Sequence, residues 1–335
     1  MKESHVLAGL LIVAMAMVGC QGDQLDGVYR YEEFAKIETG AEFYTGTLEF
    51  AGNNYALEQV ASIVEEGTYA AGEGSLDLNK ENKAIYPPDQ TLVIAPSLLA
   101  QPGNKGIAWA VKERSDAWVD GCFETIVLEI DKDWLWEEVG ILFGAICFDS
   151  GSSTCDIGHG DENGDQYMTQ TTYELFDDGT ISWEDDAIGV TFSGMVGHSN
   201  GYFFSRGETG IVGASSRHYV MFAAMAGGGS HDLAGVYNLL KFGVNRAGGM
   251  AVLEDGTLEI DELDGYMLEL DTSENPYVGV INRSSSASFD FMLDDNPEWK
   301  AIMANEDNSV MVMANLGSPS EEVDFIFATR MPGQD

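Results

Sequence analysis

The chain is 335 residues long, enough for two or three domains, and its 44 % hydrophobic content is that of a globular protein with a substantial core. It carries 56 acidic against 16 basic residues, a net charge of −40. A surface of that sign repels phosphates and anionic headgroups, which excludes nucleic-acid binding; it attracts divalent cations and suits a saline medium that screens self-repulsion.

After Lys2 the chain runs apolar from Val6 to Val18, the length of a signal-peptide core and short of a membrane span. The run ends in Met17-Val18-Gly19-Cys20, followed by polar Gln21-Gly22-Asp23-Gln24. This pattern reads as a lipobox. Residues 1–19 are then a signal peptide, Cys20 accepts a diacylglycerol, and residues 20–24 form a tether. Two or more acyl chains hold a protein firmly where one holds marginally. The expected partner is a membrane, reached through the N-terminal lipid, and the expected location a bacterial envelope. Lys2 and Glu3 cancel, so the acidic surplus belongs to the body beyond Cys20.

From there the sequence repeats. Leu25-Asp26-Gly27-Val28-Tyr29 returns as Val119-Asp120-Gly121-Cys122-Phe123 and as Leu233-Ala234-Gly235-Val236-Tyr237, each apolar-x-Gly-x-aromatic at the head of an apolar/polar run. The ends match as well. Ile107-Ala108-Trp109-Ala110, Val220-Met221-Phe222-Ala223 and Phe325-Ile326-Phe327-Ala328 close the three units. Three repeats follow, over 25–115, 116–229 and 230–335. Within them, short alternating or wholly apolar runs are separated by turn chemistry such as Ala51-Gly52-Asn53-Asn54, Asp177-Asp178-Gly179 and Glu254-Asp255-Gly256. No stretch beyond the signal keeps a helical period for three turns.

The fold class is therefore all-β, three tandem antiparallel meanders of seven to nine strands each, closed as small barrels or compact sheets; a single closed β-propeller is the alternative. Closing runs such as Val310-Met311-Val312-Met313 are apolar at every position. A wall facing water would alternate, so these strands are expected to be buried on both faces, sheet against sheet. The repeat start resembles the calycin barrels, whose first strand carries Gly-x-Trp, with Tyr29, Phe123 or Tyr237 standing here in place of Trp. The organisation as a whole is similar to tandem-repeat bacterial envelope lipoproteins of unassigned function, and Gln21 after the cysteine resembles those sorted to the outer membrane.

Three further cysteines sit in what would be an oxidising compartment. Cys147 and Cys155 bracket a flexible Ser/Gly loop and are expected to pair, leaving Cys122 a buried free thiol; pairing of Cys122 with one of the other two is the alternative. Zinc on His159 and Cys155 is disfavoured, because two thiols in one hairpin there pair more readily than they chelate. Asp161-x-Asn163-x-Asp165, with Asp156 nearby, has the alternating oxygens of a calcium loop. Gln166 and Thr172 occupy the positions where an EF-hand needs Gly and Glu, so any calcium site would be a looser one.

Catalytic grammar is thin. There is no phosphate loop or cofactor fingerprint, and no triad spacing sets His198, His218 or His231 with a nucleophile and an acid. Trp134, Trp136 and Trp183 are candidates for a sugar or apolar site, although aromatics in β-proteins are more often core. The expectation is a non-catalytic, lipid-anchored envelope protein, a surface binding or structural module with a protein or carbohydrate partner. The alternatives are a carrier of an apolar or sugar ligand inside its barrels and, third, a propeller-type hydrolase.

Overall fold

The computed structural model describes residues 24–37, 40–59, 62–78, 82–99, 105–131, 139–160, 166–186, 188–197, 200–209, 217–225, 232–245, 250–273, 275–284, 287–293, 296–304, 309–315 and 322–332. Three eight-stranded antiparallel barrels follow one another along the chain, each an up-and-down meander closed by pairing its last strand with its first.

The first barrel is built from β1 (Gly27–Ile37), β2 (Gly40–Ala51), β3 (Asn54–Gln59), β4 (Ser62–Ala71), β5 (Ser75–Leu78), β6 (Asn82–Ile85), β7 (Leu92–Pro96) and β8 (Lys105–Lys112). The second contains β9 (Gly121–Asp131), β10 (Gly140–Asp149), β11 (Thr154–Gly160), β12 (Gln166–Leu175), β13 (Thr180–Asp185), β14 (Val190–Val196), β15 (Tyr202–Thr209) and β16 (Arg217–Met225). The third contains β17 (Gly235–Asn245), β18 (Met250–Ile260), β19 (Gly265–Leu270), β20 (Tyr277–Arg283), β21 (Ser288–Leu293), β22 (Asn296–Met303), β23 (Val310–Asn315) and β24 (Glu322–Arg330). The small barrels expected from the sequence are present, and the propeller is not.

The repeated motif has a physical reason at each position. Gly27, Gly121 and Gly235 start the first strands with φ of +113°, +87° and +149°, a region that side-chain-bearing residues rarely enter. The aromatic two residues on, Tyr29, Phe123 or Tyr237, is fully buried at the base of its barrel. The apolar residue two before the glycine folds underneath as a plug: Leu25, Val119 and Leu233 are all buried. Tyrosine hydroxyls hold the plugs, Tyr69 donating to the Leu25 carbonyl (2.9 Å) and Tyr237 to that of Leu233 (2.9 Å). We call this the lower end of each barrel.

Inside, alternate residues of every strand make a separate apolar core. That of the second barrel is largely aromatic, with Phe148, Tyr173, Trp183, Phe192 and Phe203 in contact and Trp183 stacked on Phe192 at 5.1 Å. Met303, Met311 and Met313 lie in the core of the third.

A fourth core lies outside all three barrels. The outward residues of the closing strands meet between them, among them Trp109 and Ile107, Phe204 and Phe222, and Phe325 and Phe327. Trp109 stacks on Phe204 (6.1 Å), Phe204 on Phe327 (5.9 Å), and Phe34 meets Phe242 edge-on (6.0 Å), so every pair of barrels is joined by rings. This is the two-sided burial that the continuous apolar runs demanded.

The barrels stand in the same sense. At the lower ends Asn238 donates to the Glu73 carbonyl (2.9 Å) and Arg114 to that of Gly197 (2.9 Å). At the upper ends a ring nitrogen of His218 is 3.0 Å from the Ala41 carbonyl.

One turn signal misled. Glu254-Asp255-Gly256 lies inside the continuous strand β18, where a Cβ on Gly256 would sit 2.1 Å from the Glu269 carbonyl oxygen. The glycine there permits a close approach of backbones instead of a reversal.

Two expected outcomes follow. Gly121→Ala adds a Cβ that meets nothing within 4 Å, so its cost is that of the backbone alone, about 1–3 kcal/mol in urea unfolding. Phe204→Ala removes a ring from the shared core and costs about 3–5 kcal/mol, with the single thermal transition broadening as the barrels lose their common contact.

Candidate functional site

The first and second barrels leave a cleft of about 160 Å³ between them. Arg30 and Glu32 reach it from β1 and Thr45 from β2; Thr180, Ser193 and Arg206 reach it from β13, β14 and β15. The placement follows from strand periodicity. Tyr31 and Glu33 point into the first barrel, so Arg30, Glu32 and Phe34 point out toward its neighbours.

Glu32 is the centre of the arrangement. It is buried, and its carboxylate accepts a bond from the Trp109 indole N–H (3.1 Å) and faces the Arg206 guanidinium at 3.4 Å. Burial pushes its pKa up to about 7, against the opposing pull of Arg206 and Trp109. Arg206 lies over the Phe43 ring (5.5 Å) and reaches Glu208 (3.5 Å), while Arg30 pairs with Asp178 across the barrel boundary at 2.6 Å. The cleft thus sets two guanidinium groups, each already paired with a carboxylate, and three hydroxyls beside Glu32, which titrates near neutrality. Such a set can hydrogen-bond a small hydroxylated or anionic ligand and exchange a proton with it.

At the upper ends each barrel is stoppered from inside by charge. Glu33 accepts bonds from the Leu98 and Leu99 amides (2.9 and 3.0 Å) and from the Tyr31 and Ser97 hydroxyls. Burial and the adjacent carboxylate raise the Tyr31 pKa well above its ordinary value, so that hydroxyl stays a donor. In the second barrel Glu129 meets Arg217 and the Tyr219 hydroxyl. In the third, buried Lys241 lies 3.3 Å from Glu254 and 3.1 Å from Asp324. An open groove of about 550 Å³ runs over the outer wall of the first barrel, edged by Glu49 and Glu66.

The cysteines pair differently from expectation. Cys122 is bonded to Cys147, and Cys155 is a buried free thiol. Register decides it. Cys147 faces Cys122 directly across β9 and β10, with Cα atoms 3.9 Å apart. Cys155 pairs instead with Phe148 and so points into the barrel, the face opposite to Cys147. Burial, then Asp156 and Asp185, push the Cys155 thiol up to about 12, and it stays protonated.

Of the proposed calcium ligands, Asp156 is exposed on the outer face of β11 and accepts a bond from Gln170 at 2.7 Å. The strand continues to Gly160, which lies roughly 13 Å along it from Asp156. Asp161, Asn163 and Asp165 lie outside the described residues, as do Cys20, Trp134, Trp136, His198 and His231. Among the described residues no group of three or more His, Cys, Asp or Glu side chains is placed to hold a metal ion. Trp183 is core, and His218 is wedged between the first two barrels against Phe34 and Phe43.

No protein-family model matches the chain, and no curated protein does. Solved structures do match. A variant of the vaccine antigen transferrin binding protein B from Haemophilus parasuis is 9 % identical, over 93 % of this chain and 77 % of that one, with a TM-score of 0.33. A protein of unknown function of the DUF3598 family from Nostoc punctiforme is 10 % identical, over 63 % and 95 %, at 0.23. Kievitone hydratase from Nectria haematococca is 6 % identical, over 63 % and 89 %, at 0.26. At such scores these likenesses carry no argument about partner or reaction.

The titration of Glu32 has a measurable consequence. Its pKa is higher folded than unfolded, so its protonated form favours the fold; the contribution is full below about 4.5 and lost as pH rises through about 7. Relative to Glu32→Gln, the wild type should lose urea-midpoint stability between those pH values and run parallel to it outside them.

Proposed function

We propose that this chain is a non-catalytic, lipid-anchored protein of the bacterial envelope whose outer surfaces and inter-barrel cleft bind a partner. The observation that carries the reading is the packing of the barrels. Each interior is filled by its own side chains, plugged below by Leu25, Val119 or Leu233 and stoppered above by Glu33, Glu129 or Lys241. A carrier of apolar molecules needs that space for cargo. What remains for recognition is the outside: acidic walls, the open groove edged by Glu49 and Glu66, and the cleft around Glu32 and Arg206.

The lipobox supplies the anchor, and fusion of the barrels through a shared core supplies a rigid head to display. The cleft favours a small hydroxylated or carboxylated group, such as a sugar or an acidic terminus, because it sets guanidinium and hydroxyl donors beside a carboxyl group that takes up a proton near neutrality.

Two measurements test this. Mass spectrometry of the envelope-extracted protein should find an acylated N-terminal Cys20, and Cys20→Ala should move the chain out of the membrane fraction. Native mass spectrometry of the same material should show no stoichiometric apolar ligand. A bound lipid or pigment at one copy per chain would overturn the filled-barrel reading in favour of the carrier.

A further inference from the structure

The lower ends of the barrels carry a feature that the cleft and the plugs do not use. Three large apolar side chains stand out from that end: Trp118 is 51 % exposed, Phe176 48 % and Leu263 89 %. Each is presented by a backbone that is itself tied down. The Trp118 amide donates to the Asn200 side chain (2.9 Å). Phe176 heads the turn between β12 and β13, its carbonyl accepting the Gly179 amide (3.0 Å). Leu263 sits at the tip of the β18–β19 turn, where the Asp261 carboxylate accepts the amides of Leu263 and Gly265 (2.7 and 2.9 Å). Fixed turns that aim large apolar groups into water lose their hydration penalty only when something covers them.

The chain also says what lies beneath. It enters the first barrel at its lower end, where Gln24 bonds to Asn53 (3.0 Å) and Leu25 plugs the base. Cys20 is five residues from Leu25, a reach of at most about 18 Å even when fully extended. Because all three barrels stand in the same sense, anchoring the first at this end turns the lower ends of the other two toward the same plane.

We propose that the lower face is a docking surface for the bilayer itself, with Trp118, Phe176 and Leu263 seated in the interfacial layer of a zwitterionic membrane. The proposal rests on the lipid-anchor reading given above. Tryptophan and bulky apolar side chains partition to that layer. Asp26, Asp177 and Asp261 at the same end, beside Asp116 and Asp264 paired with Arg114 and Arg283, disfavour an anionic surface and fit a zwitterionic one. The head then rests on the membrane as a tripod of barrels, and its upper ends face away.

The test uses the acylated full chain in phosphatidylethanolamine/phosphatidylcholine vesicles whose acyl chains carry bromine, a short-range quencher of tryptophan fluorescence. With Trp134 and Trp136 replaced by phenylalanine in every chain used, the otherwise wild-type chain should be quenched and Trp118→Phe largely not, since the remaining Trp109, Trp183 and Trp299 are buried. The double variant Phe176→Ser, Leu263→Ser should transfer between vesicles at least about tenfold faster, the loss expected from withdrawing even one large apolar side chain from the bilayer. Absence of quenching in the wild type, or quenching that persists in Trp118→Phe, overturns the proposal. If mass spectrometry finds Cys20 unmodified, the anchor reading fails separately. The same chain is then held by an oligohistidine at residue 20 on nickel-chelating lipid, where quenching at Trp118 still supports the docking face and its absence rejects it.

Discussion

The structure depends on the burial of the closing strands on both faces. Each barrel needs an interior face to fill itself, and the strands around Trp109, Phe204 and Phe327 are equally apolar on the exterior. Three such walls, left apart, would each present a strip of rings and branched aliphatics to water. Brought together they make a fourth core that belongs to no single repeat. Everything polar between the barrels is arranged around it: the Arg30–Asp178 and Lys83–Asp255 pairs near the rim, His218 at the upper end, and Glu32 with Arg206 where the apolar contact gives way.

Glu32 shows how that arrangement becomes chemistry. A carboxylate on a barrel wall would ordinarily face water and ionise freely. The neighbouring barrel removes the water, and the remaining partners, one guanidinium and one indole, do not fully offset the loss. The result is a proton-exchanging group in a cleft where basic side chains from two barrels meet beside hydroxyls. Elsewhere buried charge is matched inside one barrel. Lys241 faces two carboxylates, and Glu33 faces two amides and two hydroxyls.

Much of the architecture was legible in the chain because period and repetition are local signals. The apolar-x-Gly-x-aromatic start marks a positive φ, a buried ring and a plug, and continuous apolar runs such as 310–313 announce two-sided burial. What the sequence could not supply were relations between strands. The spacing of Cys147 and Cys155 favours a short loop, but register turns one outward and the other inward, and Cys122 on the adjacent strand takes the bond. Gly256 resembles a turn residue locally and is a close-approach residue in the sheet. The cleft was missed because Glu32 and Arg206 are 174 residues apart. The one available hint was two adjacent acids, Glu32-Glu33, set between Tyr31 and Phe34, which puts one acid on each face of the strand.

The shared core also governs how such a molecule can change over generations. Copies of a self-sufficient module drift independently, and a duplicated gene can shed one without harm. Here the seam residues of each copy are read by two others, so a swap of Phe204 for a smaller ring is felt by Trp109 and Phe327 at once. Substitutions at the seam are therefore constrained to occur in concert, and divergence is channelled to the outer walls. A proteolytic nick that frees one unit would leave sticky faces on both fragments, marking them for clearance and making the trio an indivisible inheritance.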